Sequence, residues 1–188
     1  MSYYDQEDLI NFGFNYLGEN VKVSQHAKIY DPGKISLGSN SRIDDFCIVS
    51  GSVTVGCYCH ITPMCLVAGG VLGIVMGDFV TLAYGTKVFA QSDDYSGKSM
   101  VNSLIPKKFK DEYFARVELQ KHSIVGANST IMPGVTLAEG TAVGSMSLVL
   151  SSTSPWGIYV GCPALRIKDR RRDLLELERE FLNENSIQ

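Results

Sequence analysis

Two short motifs carry the side chains best suited to moving a proton or holding a charged substrate. VGCYCH ends in His60, and SDDYSG supplies Asp93, Asp94 and Tyr95. An imidazole exchanges a proton near neutral pH. A carboxylate attracts an ammonium group and can relieve it of a proton. The chain has three histidines and five cysteines. Cys57-x-Cys59 is the nearest thing to a metal motif, but the paired CxxC spacing of a zinc site is absent, so no metal site is expected.

The elements that must position these groups are visible in a repeat. Leu119 to Leu150 divides into LQKHSI, VGANST, IMPGVT, LAEGTA and VGSMSL, each block opening on an aliphatic residue. The fifth residue of each is small or β-branched: Ser123, Ser129, Val135, Thr141 and Ser147. A helix repeats near 3.6 residues and a simple strand near 2, so a period of six fits neither. It fits a β-helix in which each block is one short strand and a turn, about three blocks to a triangular coil. The first and fifth residues then point inward, and stacked coils bury a continuous aliphatic column. The same phase runs through Leu37, Ile43, Val49, Val55 and Ile61, with Cys47, Cys59 and Cys65 in the inward fifth place, where a free cysteine serves as a small hydrophobe. His26 and His122 fall in fourth place and are expected on the surface. His60 and Asp93 both fall in sixth place, expected at corners.

The expected organisation is an all-β chain in three parts: an N-terminal cap over 1–20, a left-handed parallel β-helix over 21–150, and an exit segment with an amphipathic helix over 151–188. In the cap, Asp5, Gln6 and Glu7 precede Leu9, Ile10 and Phe12 as acidic and polar residues precede the first turn of a short helix. The coils are interrupted twice. VAGGVLGIV is too long for its slot and reads as a glycine-rich bulge around Gly69 and Gly70. A polar segment at about 91–116 carries no repeat, and loops of that length inside a compact repeat usually serve function. Its aromatic residues (Tyr95, Phe109, Tyr113, Phe114) call for something to pack on, a neighbouring subunit being the expected partner. At the other end DLLELEREFLNEN has apolar residues at helical spacing.

A formal charge of −3 does not suggest a nucleic-acid partner. No apolar run approaches the roughly 18 residues needed to span a bilayer. The acidic start MSYYDQEDL lacks the basic and apolar regions of a signal peptide, so a cytoplasmic protein without membrane association is expected.

Two stretches, VGANSTIMPGVTLAEGTAVGSMSLV and PWGIYVGCPALRIK, resemble the hexapeptide-repeat acyltransferases. With RIDDFCIVSG, SDDYSG and the acidic helix DLLELE, the chain looks most like the dTDP-4-amino-4,6-dideoxyglucose acyltransferases of O-antigen synthesis, from about Leu17 onward. The resemblance implies a homotrimer with active sites in the clefts between neighbouring β-helices, an acyl-CoA donor (acetyl-CoA is expected) and a nucleotide-linked sugar acceptor. It carries the coenzyme role to Ala127, Ser145, Gly161, Arg166 and Lys168. The galactoside O-acetyltransferases of the same superfamily place sugar-contacting residues at Thr62 and near Gly69 and Gly70. Their catalytic histidine aligns with Asp93, a departure that favours an amine acceptor over a hydroxyl, because an amine needs only to arrive unprotonated. On this reading His60 is the base or orients the acceptor, and Asp93 or Asp94, with Tyr95 beside them, binds the sugar amine across the cleft. O-acetylation of a galactoside or glycan is the alternative. A γ-type carbonic anhydrase would need three histidines in convergent phase, and an inert scaffold would predict a short, bland loop; neither fits.

Overall fold

The computed structural model describes residues 2–185. Its body is a three-sided parallel β-solenoid. The first face stacks Tyr16–Leu17, Ile35–Leu37, Val53–Val55, Ile74–Met76, Val117–Leu119 and Thr136–Leu137. The second stacks Lys22–Val23, Arg42–Ile43, His60–Ile61, Thr81–Leu82, Ile124–Val125 and Ala142–Val143, and is extended by Gly157–Val160 and an antiparallel Leu165–Asp169. The third stacks Lys28–Ile29, Ile48–Ser50, Leu66–Ala68, Lys87–Phe89, Thr130–Ile131 and Leu148–Val149. The coils extend beyond the repeat at both ends. Tyr16–Leu17, inside the segment expected to cap, already pairs with Ser36 and Leu37. Gly157–Val160, in the exit segment, pairs with Ala142 and Val143.

Register keeps like positions stacked, so inward residues pack on their own counterparts one coil away. Ile43, Ile61, Leu82 and Val125 follow one another up the second face, each at most 1% exposed. Cys47, Cys59 and Cys65 are buried, as their fifth-place phase requires, and all five cysteines are free. Inward hydroxyls bond backbone carbonyls: Ser41 Oγ donates to Gly56 O at 2.7 Å and Ser129 Oγ to Gly144 O at 2.9 Å.

Most corners place a residue in the left-handed region. Between the first and second faces these include Asn40, Tyr58, Phe79 and His122; between the second and third they include Phe46, Met64, Gly85, Asn128 and Met146. Their side chains project outward as columns. On the first of these edges Tyr58 stacks on Phe79 at 5.1 Å and Phe79 on His122 at 5.2 Å. The C-terminal helix α2 (Leu174–Asn185) lies over that column, setting Phe181 edge-on to Tyr58 at 5.2 Å. His122 is therefore not the surface residue its phase suggests. It does point out of the coil, but α2 covers it: it is 7% exposed, with Nε2 2.8 Å from Glu178 Oε2. Burial pushes the Glu178 carboxyl up, but its bonds from Lys121 and His122 outweigh this and hold it below the usual range. At the other end the short helix α1 (Gln6–Asn11) is N-capped by Asp5, whose carboxylate accepts from Asp8 N. The buried Leu9 closes the core there.

Both interruptions fall on the edge between the third and first faces, one coil apart. Gly69 packs so tightly that a Cβ there would lie 2.0 Å from Ser52 O, and Gly70 takes φ +54°. The longer segment leaves after Ala90 and returns at Ala115, whose N–H donates to Ala90 O at 3.1 Å. Its neck is an antiparallel pair, Gln91–Ser92 with Tyr113–Phe114.

Ile131 sits fully buried at the third face. Ile131→Ala removes a rung of the aliphatic column and is expected to cost about 2–5 kcal/mol, read as a lowered urea midpoint.

Candidate active site

His60 lies on a strand of the second face rather than at a corner, between Arg42 and Thr81 on the neighbouring coils. Its side chain is 37% exposed, and Nε2 stands 2.8 Å from Asp44 Oδ2. The Asp44 side chain is only 1% exposed. It accepts from Arg42 Nε at 2.6 Å, Arg42 Nη2 at 2.9 Å and the Tyr3 hydroxyl at 3.0 Å. Burial pushes the Asp44 carboxyl up, but the bonds from Arg42, His60 and Tyr3 outweigh it and hold the group below the ordinary carboxylate range. Asp44 and Arg42 escaped the sequence reading. Their signal was the odd spacing R-x-D in RIDDFC, which puts an acid where the repeat turns its corner.

Asp93 follows the loop neck. It is 38% exposed and 3.6 Å from the Lys110 ammonium, which also meets Glu112 at 3.0 Å. Gln91 Nε2 donates to the same Glu112 carboxylate at 2.7 Å, so the neck and the charge pair brace each other. Beside Asp93 opens a hollow of about 390 Å³ bounded by Phe89, Tyr95, Thr130 and Met132. Tyr95 is 90% exposed at its rim. Asp94 points elsewhere. Its carboxylate accepts from Ser96 N at 2.8 Å, Ser99 N at 3.0 Å and Ser99 Oγ at 3.1 Å. The bonds from Ser96, then those from Ser99, draw its pKa down to about 2. Asp94 thus ties the loop together, and Asp93 is the acid of the pair that lines the hollow.

The remaining candidates divide. Thr62 is buried and its hydroxyl donates to Leu82 O at 2.8 Å, a bond that holds two coils in register. Gly69 is likewise turned into the coil against Ser52, and Gly70 stands under Gln91 at the foot of the loop. Ala127, Ser145 and Gly161 rise one above another along the edge between the second and third faces. Met146 N donates to Ala127 O at 2.8 Å and Leu148 N to Gly161 O at 3.0 Å. Exposed apolar side chains follow the same edge: Phe46, Met64, Tyr84 and Met146. Arg166 and Lys168 lie on the exposed final strand, with Arg166 paired to Asp169. Within one chain His60 and Asp93 do not meet. They belong to the second face and to the loop beyond the third.

No protein-family model matches the chain. A curated relative matches it end to end: the dTDP-4-amino-4,6-dideoxy-D-glucose acyltransferase of Escherichia coli is 35% identical over 187 residues, 96% of this chain and 95% of that protein. The chain belongs to this acyltransferase family. AntD, an N-acyltransferase from Bacillus cereus, is 48% identical with a TM-score of 0.97, covering 98% of both chains, in a crystal structure with dTDP and 3-hydroxybutyryl-CoA. A single-residue variant of AntD, in complex with dTDP-4-amino-4,6-dideoxyglucose and coenzyme A, superposes with a TM-score of 0.96 at 49% identity, covering 97% of this chain and 98% of that one. The left-handed parallel β-helix expected from the hexapeptides is the fold of the chain. Among the described residues no cluster could hold a metal, and no helix is long and apolar enough to cross a membrane.

The Asp94 bonds give a loop test. A carboxyl whose folded pKa is depressed contributes above its ordinary value and loses that contribution as pH falls through the folded one. Asp94 should therefore hold the loop at neutral pH and release it only as pH falls through about 2. Asp94→Ala is expected to speed tryptic cleavage at Lys98, Lys107 and Lys108 at pH 8 while leaving the β-sheet circular dichroism unchanged.

Proposed function

We propose that this chain transfers an acyl group from acyl-coenzyme A to the 4-amine of dTDP-4-amino-4,6-dideoxyglucose. The observation that carries the reading is likeness over the full chain to an N-acyltransferase whose variant was crystallised with that amino sugar and coenzyme A. We assign acetyl-CoA as the donor. Because AntD was crystallised with 3-hydroxybutyryl-CoA, that longer donor is the one to assay beside it. The setting is surface polysaccharide (O-antigen) synthesis in the cytoplasm.

The working unit is a homotrimer, with His60 of one copy facing the Asp93 hollow of the next across a cleft. Three features support this reading: the uncovered apolar edge at Phe46, Met64 and Met146, the exposed aromatic loop, and the separation of the two groups within one chain. The pantetheine arm runs along the edge marked by Ala127, Ser145 and Gly161, where the corner backbone comes close to any ligand lying in the groove. Arg166 and Lys168, beyond its end, meet the nucleotide phosphates of the coenzyme.

The acceptor amine arrives as an ammonium, for which the Asp93 carboxylate is a complementary anchor. His60 takes its proton, and the freed nitrogen attacks the thioester carbonyl. A carbon–nitrogen bond forms while the carbonyl oxygen becomes an oxyanion, which a corner N–H can stabilise. As the carbonyl re-forms, the carbon–sulfur bond breaks and coenzyme A leaves as the thiolate. The nitrogen sheds its second proton, which the thiolate recovers. Holding both substrates along one groove supplies the alignment that a bimolecular reaction in water lacks.

Free thiol release from acetyl-CoA should require the amino sugar and fail with a galactoside. Asp93→Asn and His60→Ala should each lower kcat/KM by roughly 10²–10⁴-fold, the usual worth of a positioned acid or base. Turnover with the galactoside alone would refute amine transfer, and full activity in both variants would refute the assigned residues.

A further inference from the structure

A prism face that needs only a soluble outward residue has no reason to bury an acid, because an ionised carboxylate is costly to desolvate unless several donors meet it. Asp44 is buried and is met by several. Its two oxygens take both ends of the Arg42 fork, the Tyr3 hydroxyl and His60 Nε2. Arg42 and His60 are neighbours in the parallel ladder, and Tyr3 is brought in by the N-terminal segment, which bridges to Ser24. Three separate parts of the chain thus converge on one carboxylate, and the most exposed group they leave on the face beside Arg42 is an imidazole.

We infer that Asp44 is a positioning residue that sets the tautomer of His60, so that Nδ1 is the nitrogen offered to the acceptor sugar. The inference rests on the reading of His60 given above. An ionised carboxylate can only accept hydrogen bonds, so the nitrogen facing it, Nε2, must carry a hydrogen. A neutral imidazole carries one, which leaves the lone pair on Nδ1. Among the described residues no hydrogen-bond partner meets Nδ1, and the ring is partly open to solvent. That nitrogen is therefore the one able to receive a proton from the acceptor's ammonium group, and Asp44 steadies the imidazolium that forms. Arg42 grips both oxygens of the same carboxylate through Nε and Nη2, which holds Asp44 in place opposite the ring.

The test uses the full chain with the His60 signals assigned by their loss in His60→Ala. Long-range proton–nitrogen spectra of the imidazole, recorded above the pH at which the ring is charged, should show hydrogen on Nε2 and none on Nδ1 in the unaltered protein. In Asp44→Asn the amide NH₂ can donate to Nε2, which should move the hydrogen to Nδ1. That variant should lose roughly 10²-fold or more in kcat with acetyl-CoA and the amino sugar, on the scale of a lost base. Asp44→Asn combined with His60→Ala should be no slower than His60→Ala alone. Tyr3→Phe removes a donor from Asp44 without touching the ring and should leave the tautomer as it was.

Hydrogen on Nδ1 in the unaltered protein overturns the inference without any variant having to fold. So does a reversed tautomer in Asp44→Asn at unchanged kcat while His60→Ala is impaired. Full turnover by His60→Ala would instead refute the catalytic reading of His60, and with it any service Asp44 renders to the reaction, whatever the spectrum shows.

Discussion

Every coil of this molecule must turn its corners, and nearly all the turns use a left-handed backbone that L-residues adopt only at a cost of roughly 1–2 kcal/mol. Glycine and asparagine meet that demand at Gly85, Asn40 and Asn128, whereas Tyr58, Phe79, Phe46, Met64 and Met146 meet it with bulky side chains. The burial of stacked aliphatic residues inside the prism offsets the strain. In exchange the corners throw large side chains outward in straight columns, one coil spacing apart. One column is roofed by α2, with the His122–Glu178 pair beneath it. The other stays uncovered along the edge where Ala127, Ser145 and Gly161 rise, and there the fold leaves an apolar rail beside exposed backbone.

Parallel stacking also determines how a site can be built here. Because equivalent positions repeat vertically, outward residues form rows, and chemistry is written along a row rather than within a loop. On the second face the row runs Lys22, Arg42, His60, Thr81 and then turns apolar at Ile124, Ala142 and Ile158. The polar half belongs to the early coils and the apolar half to the late ones. An anionic nucleotide-linked sugar and a long coenzyme arm make the same division of demands on a groove.

Much of this architecture could be read from the chain because a period of six leaves little freedom: Leu119, Val125 and Ile131 name the inward places, and Cys47, Cys59 and Cys65 follow from phase alone. What phase cannot report is what lies over an outward residue. His122 reads as a surface histidine until α2, more than fifty residues later, comes to rest on it. Nor can phase report that the Thr62 hydroxyl bonds Leu82 O on the next coil. His60 and Asp93 were picked out by residue type and by likeness to relatives. Asp44 was not, since its importance comes from Tyr3, forty-one residues away, meeting Arg42 and His60 on one carboxylate. Asp94, next to Asp93, differs from it in accepting the N–H groups of Ser96 and Ser99.

The neck of the long loop has a different significance. The chain leaves the prism at Ala90 and re-enters at Ala115 with those two residues bonded to each other, and Gln91–Ser92 zipped to Tyr113–Phe114 above them. The coils below register only that closed neck. Lengthening a flexible loop beyond such a neck costs only about 0.6 kcal/mol per doubling. The tip can therefore be exchanged, shortened or elaborated in descent while the prism stays as it is. A lineage built on this scaffold can change what the hollow beside Asp93 admits without rebuilding the coils.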